Sequence, residues 1–208
     1  MLAAASVTAQ YIERDWEARD RWMNIPGLFA LAGITTGSTV ADIGCHEGYL
    51  TVHMARKVGP EGKVYAVDIN ENRLKKLDEH LQERNLINVE TVLGDYDNPK
   101  LPEGALDVVV IMDTYHEMTE YMTVLKHVKN ALKSGGRIVL VEKMKSHMRN
   151  KSRKQQTEAH TLAMQYVKKE LEAAGFSVSK TVDDFGKWEN EPGKKIWLLI
   201  ATPDNTAN

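Results

Sequence analysis

Two short apolar runs, each ending in an acid, constrain this chain more than any other feature. Val40-Ala-Asp-Ile-Gly-Cys-His-Glu-Gly-Tyr-Leu-Thr51 passes from an apolar run through Asp42 into a turn carrying Gly44 and Gly48. Val64-Tyr-Ala-Val-Asp-Ile-Asn70 is a second apolar run, and it ends in Asp68. A helical pattern fills the interval. The arrangement is a strand-turn-helix-strand unit with an acid at the tip of the second strand. Such a unit suits an adenosine-containing cofactor. The turn offers backbone N–H groups at a helix N-terminus, and the second acid accepts hydrogen bonds from a ribose diol.

The glycine spacing separates two classes of cofactor. A dinucleotide fingerprint needs Gly-x-Gly-x-x-Gly, but here His46 and Tyr49 stand at its second and third glycines. A nicotinamide-dependent oxidoreductase is therefore the weaker alternative. The spacing Asp42, Gly44, Gly48 fits a different turn.

The ordered motifs resemble those of class I, Rossmann-like S-adenosylmethionine-dependent methyltransferases. Asp42, Gly44 and Gly48 resemble the first motif, with His46 where the family usually has a glycine. Gly94-Asp-Tyr-Asp97 is similar to the third segment, Leu106 to Met118 to the fourth, Ser134-Gly-Gly to Glu142 to the fifth, and Ala174-Gly-Phe176 to the turn before the last hairpin. The likeness spans about residues 35–202. It implies a seven-stranded, mostly parallel α/β sheet with an antiparallel last strand and helices on both faces. The implied cofactor is S-adenosylmethionine, held by Asp42, Gly44, Cys45, His46, Gly48, Asp68, Ile69, Asp95, Tyr96 and Asp113. The acceptor is not implied, because one fold hosts many chemistries.

The periodicity places strands near 39–44, 63–68, 88–93, 106–112 and 136–142, with closing strands near 177–183 and 194–202. Helices are expected near 48–58, 71–84, 119–132 and 156–174. Residues 1–34 read as a helical N-terminal extension and 35–208 as the cofactor-binding domain. The aromatic stretch with Tyr11, Trp16 and Trp22 reads as a packing or dimer surface, with a lid over the site as the alternative. Lys143 to Lys154 carries Lys143, Lys145, Arg149, Lys151, Arg153 and Lys154 without an acid. It reads as a solvated loop, with an anion-attracting lid as the alternative.

A formal net charge of −2 argues against a dedicated nucleic-acid binder. Cys45 is the single cysteine, which excludes an internal disulfide and a cysteine-rich metal site. It reads as a small residue packed on backbone. No apolar run reaches the ~20 residues needed to cross a bilayer. Val7-Thr-Ala9 has the spacing of a signal-peptidase site, but the stretch before it is short and lacks a basic start. A cytoplasmic enzyme is expected, with a periplasmic one as the alternative.

Methyl transfer from a sulfonium is an in-line displacement in which the protein mainly positions the acceptor. A hydroxyl or ammonium acceptor also loses a proton. Asp113-Thr-Tyr-His-Glu117 follows the fourth strand, and His116 is the candidate base because it titrates near neutrality. Tyr115 is a candidate cap for the acceptor, and Asp113 a contact for cofactor or substrate. A structural hydrogen bond is the competing role for His116. With no Asp-Asn pair after the fifth strand, no metal ligand is assigned. The expected function is methyl transfer to a small-molecule O, N or S acceptor. A cofactor-binding protein without catalysis is the alternative.

Overall fold

The computed structural model describes residues 12–204. Tyr11 and the Val7-Thr-Ala9 stretch lie outside the described residues. The strands are β1 (Thr39–Ile43), β2 (Lys63–Asp68), β3 (Val89–Leu93), β4 (Leu106–Met112), β5 (Leu132–Lys145), β6 (Phe176–Lys187) and β7 (Lys194–Pro203). They form one sheet in the order β3-β2-β1-β4-β5-β7-β6. The first five pair in parallel. Strand β7 runs antiparallel to both β5 and β6. The expected architecture is borne out.

Side-chain alternation explains why the sheet is covered on both faces. Val108, Val110 and Met112 of β4 join one apolar cluster, while Val109 and Ile111 join the other. Val139 and Val141 of β5 likewise face one side, Ile138 and Leu140 the other. A parallel strand buried on both faces reads as a continuous apolar run, and these do.

The helices are α1 (Trp16–Asp20), α2 (Ile25–Ala32), α3 (Tyr49–Val58), α4 (Glu71–Glu83), α5 (Tyr121–Ala131), α6 (Arg153–Glu158) and α7 (Met164–Ala173). Pro26 sits in the first turn of α2, and Gly33 closes that helix in the left-handed region. Helix α4 is capped by the Asn70 side chain, which accepts from the backbone of Asn72 and Arg73. The aromatics of the N-terminal segment pack inward. Trp16 lies 6.1 Å from Tyr49 and 5.3 Å from His80, and Trp22 lies 4.7 Å from Trp188. Among the described residues, no helix is long and apolar enough to cross a membrane.

The helix expected over 156–174 is two helices. His160, with φ 49°, breaks the run after α6. Thr161 then gives its hydroxyl to the Lys143 carbonyl at 2.7 Å and accepts from the Lys145 N–H at 3.0 Å. These partners lie on β5, and periodicity within the segment carries no sign of them. The basic stretch is not one loop either. Strand β5 runs on to Lys145 because β7 pairs with it as far as Lys194. Gln156, fully buried, gathers the following turn by donating to the carbonyls of Met148, Arg149 and Lys151 at 3.0, 3.2 and 3.0 Å.

Candidate active site

The strand order reverses between β1 and β4, and ligands of open α/β sheets bind beyond the strand ends at such a point. A cavity of about 310 Å³ lies there. Its lining brings together most of the residues singled out in the sequence. Asp42, Gly44, Cys45 and His46 come from β1 and its turn, and Asp68 and Ile69 from the end of β2. Asp95 and Tyr96 follow β3, and Asp113 and His116 follow β4.

Two glycines make the turn possible. Gly44 has φ 78°, and a Cβ on it would stand 2.3 Å from the Thr114 methyl carbon. Gly48 has φ 96°, and a Cβ there would stand 2.2 Å from Leu77 Cδ1. Gly48 does not line the cavity. It allows α3 to approach α4 closely, a packing role.

The turn offers fewer free amides than its sequence suggests. The N–H groups of Gly44 and Cys45 both donate to the Val67 carbonyl, at 2.8 and 3.0 Å, and that of Gly48 donates to Cys45. The His46 N–H donates to Asp68 Oδ2 at 2.9 Å, and the Asn70 N–H donates to Asp68 Oδ1 at 2.9 Å. Asp68 therefore ties the two loops together. Each of its oxygens keeps a lone pair for a ligand.

Burial dominates the electrostatics of the cavity beside β1 and β2. Asp42 is 2% exposed, and desolvation pushes its carboxyl up to about 6, against the Thr51 hydroxyl bonded to it at 2.7 Å. Burial, then the charges of Arg73 and Arg19, brings His46 down to about 4. His46 is thus neutral at pH 7. It has φ 54°, and its Nδ1 is buried without a hydrogen-bond partner in the structure. Burial also raises the Cys45 thiol, which fits a packed residue rather than a reactive one.

The end of the cavity beyond β4 is a chain of buried charges. Asp113 pairs with Lys143, and the Lys143 amine also lies 4.5 Å above the Trp188 ring. His116 Nδ1 meets both oxygens of Glu142, at 3.0 and 2.9 Å. Burial pulls the His116 pKa down, but the charge and hydrogen bonds of Glu142, with Asp113, raise it on balance. Glu142 is held below the usual carboxylate range despite its burial, by His116 and Lys143. Burial raises Asp113, which Lys143 opposes.

Tyr115 does not reach the cavity. Its ring is fully buried in the second core cluster and its hydroxyl donates to Glu170 of α7 at 3.0 Å. The role of acceptor cap is corrected to one of packing. The 3-10 turn Tyr115–Glu117 rotates successive side chains apart, so Tyr115 and His116 face different layers. Sequence reading missed Glu142, the partner of His116, because 26 residues separate them and it reads as part of an apolar strand. It also missed Arg19, Tyr49 and Arg73, which line the cavity together with Glu117, a candidate to orient His116 or bind a cation, and His160, a weaker candidate.

A family model described as "Methyltransferase domain" matches residues 34–190. Demethylmenaquinone methyltransferase of Geobacillus sp. (strain WCH70) is 33% identical over 109 residues, 52% of this chain and 47% of that protein. Its namesake from Lactococcus lactis subsp. lactis (strain IL1403) is 36% identical over 110 residues, 53% of this chain and 44% of that protein. The chain spans about half the length of the curated relatives it matches. A SAM-dependent methyltransferase from Aquifex aeolicus has the same fold, with TM-score 0.75 and 23% identity over 92% of this chain and 98% of that one. So does the [4+2]-cyclase SpnF, with TM-score 0.71 and 16% identity over 87% of this chain and 80% of that one. With the family model matched over most of its length, the chain belongs to the methyltransferase-domain family, the Rossmann-like class that uses S-adenosylmethionine.

Proposed function

We propose that this chain transfers the methyl group of S-adenosylmethionine to an O, N or S atom of a small molecule by in-line displacement. The observation that carries the reading is the convergence of Asp42, Asp68 and the Asp113–His116 wall on one cavity at the strand-order reversal. Asp68 accepts from the ribose hydroxyls. Ile69, Asp95 and Tyr96 border the adenine, with Ile69 49% and Tyr96 74% exposed and free to be covered by a ring. Asp113 and Lys143 face the methionine end.

The acceptor lies beyond the sulfur, toward His116, Met118 and Val124. Glu142 holds His116 by Nδ1, which leaves Nε2 to take the acceptor's proton as the methyl carbon bonds to the acceptor. S-adenosylmethionine held there would supply the methyl carbon, with its C–S bond breaking to leave a neutral thioether. Met112, Met118 and Val124 suit an apolar acceptor. The relatives named for demethylmenaquinone make a hydroquinone the first acceptor to assay. The cytoplasm is the compartment proposed.

A thermal-shift comparison tests the assignment. S-adenosylhomocysteine at 100 times its Kd adds about 2.7 kcal/mol to stability, whereas NAD is expected to leave the melting temperature unchanged. No shift at millimolar S-adenosylhomocysteine sinks the cofactor. Binding without product from any acceptor favours a non-catalytic role.

A further inference from the structure

We propose that His116, Glu117 and His160 form a site for one divalent transition-metal ion at the acceptor end of the cavity. His116 Nε2 lies 3.7 Å from Glu117 Oε1, and His160 Nδ1 lies 3.3 Å from that same oxygen. The three ligand atoms all fall within 4.8 Å of one another. Bonds of about 2.0–2.2 Å to nitrogen and oxygen put neighbouring tetrahedral ligands roughly 3.3–3.6 Å apart. The two distances to Glu117 Oε1 are already close to that. The two imidazoles stand edge to face, with centroids 5.8 Å apart at 84°, which lets both aim a nitrogen at the carboxylate.

The support behind His116 points the same way. A metal-bound histidine almost always gives its other ring N–H to a carboxylate or carbonyl. Glu142, 0% exposed, takes His116 Nδ1 on both oxygens and so turns Nε2 outward. His160 and Glu117 are about half exposed, which gives an ion a route in. The carboxylates of Asp113, Glu117 and Glu142 outnumber the nearby amines of Lys143 and Lys145. Lys143 is already paired with Asp113, and Lys145 is held on the Ala159 carbonyl at 2.7 Å.

A second group, Glu13, His80 and Glu83, has similar spacing. It is a poor cation site, because the Arg84 guanidinium already occupies Glu13. Two imidazoles and one carboxylate favour zinc, cobalt, nickel or iron over magnesium or calcium. Three protein ligands leave a position open toward the cavity. There the ion would take an oxygen or sulfur donor of the acceptor and lower its pKa, so that the proton leaves to solvent; Nε2 is the base only when the site holds no ion. This last role rests on the methyltransferase reading, whereas ion binding does not.

Cobalt(II) is the probe. The full chain, stripped with chelator, is titrated with Co²⁺ and followed by visible absorption, then challenged with Zn²⁺. One equivalent of bound cobalt is expected, with ligand-field bands, displaced by zinc and not by Mg²⁺. Glu117→Gln and His160→Ala are each expected to weaken binding by ~100-fold or more while melting like the parent without metal. Glu142→Gln should weaken it about 10–100-fold. Failure to bind one equivalent overturns the proposal. So does binding that persists unchanged in both His160→Ala and Glu117→Gln, or that is lost instead in Glu13→Gln. The S-adenosylhomocysteine shift is read separately, so failure here leaves the cofactor assignment standing.

Discussion

His116 and Glu142 form a pair sealed inside the protein, with Nδ1 at 3.0 and 2.9 Å from the two carboxylate oxygens and exposures of 3% and 0%. The His116 backbone N–H donates to the same carboxylate at 3.1 Å. One acid on β5 thus fixes both the main chain and the ring of the turn after β4. That decides which nitrogen the cavity sees.

Breaking this pair should cost stability as well as turnover. His116→Ala leaves the Glu142 carboxylate buried without its main partner, and removing one member of a buried pair typically costs about 3–5 kcal/mol. The double variant His116→Ala/Glu142→Ala is expected to be more stable than the sum of the single losses. Urea denaturation of the four proteins measures the coupling. Strict additivity would show that the two residues do not act as a unit.

Asp42 should make stability depend on pH in a specific direction. Its folded carboxyl, raised to about 6 from 3.8, binds a proton more tightly than the unfolded chain does. The stability it contributes is present below 3.8 and is lost as pH rises through about 6. At about 1.4 kcal/mol per pK unit, the buried carboxylate costs roughly 3 kcal/mol at pH 7. Asp42→Asn keeps an oxygen for the Thr51 hydroxyl and should melt higher than the parent at pH 7. That advantage should shrink on acidification to pH 4. An advantage that stays constant across this range would remove the buried charge as its cause.

His46→Gly should be tolerated. The residue has φ 54° and a buried Nδ1 without a partner, two penalties that glycine removes. The left-handed backbone alone costs a non-glycine residue roughly 1–2 kcal/mol. Melting temperature is expected to hold or rise, and calorimetry should give equal or tighter S-adenosylhomocysteine binding. A tenfold loss of affinity in a folded variant would mean that the ring contacts the ligand.

Asp68→Ala should weaken cofactor binding and loosen two loops together. The carboxylate accepts the N–H groups of His46 and Asn70. Hydrogen bonds to a charged group are worth about 1.5–3 kcal/mol each. Affinity is expected to fall at least tenfold by calorimetry, with hydrogen exchange faster at His46 and Asn70. Unchanged affinity in a folded variant would displace the ribose from this position.

Gln156→Ala should release the turn between β5 and α6 without touching the cofactor. Its amide serves three carbonyls, and its Oε1 accepts from the Ala163 N–H at 2.8 Å. Proteolysis within 148–152 should speed up while S-adenosylhomocysteine affinity holds. Equal cleavage rates in the parent and the variant would show that other contacts order the turn.

The sequence by itself determined the sheet and the acids and glycines that meet at the ends of β1 and β2. Val40 to Ile43 and Val64 to Asp68 are short, mostly apolar runs that terminate as buried strands do, and their acids and glycines are close in sequence to the turns they shape. Local rules suffice for such features, because an apolar run and the turn residues that end it are neighbours in the chain. The tertiary structure alone decided the acceptor end. Glu142 lies 26 residues from His116, so the pair exists only because β4 and β5 are neighbours in the sheet. His160 reaches Glu117 because Thr161 anchors the broken helix on β5. Tyr115 left the site for the same kind of reason, since the 3-10 turn gave its hydroxyl to α7. Such contacts join elements distant in the chain, and no period or spacing within one segment records them.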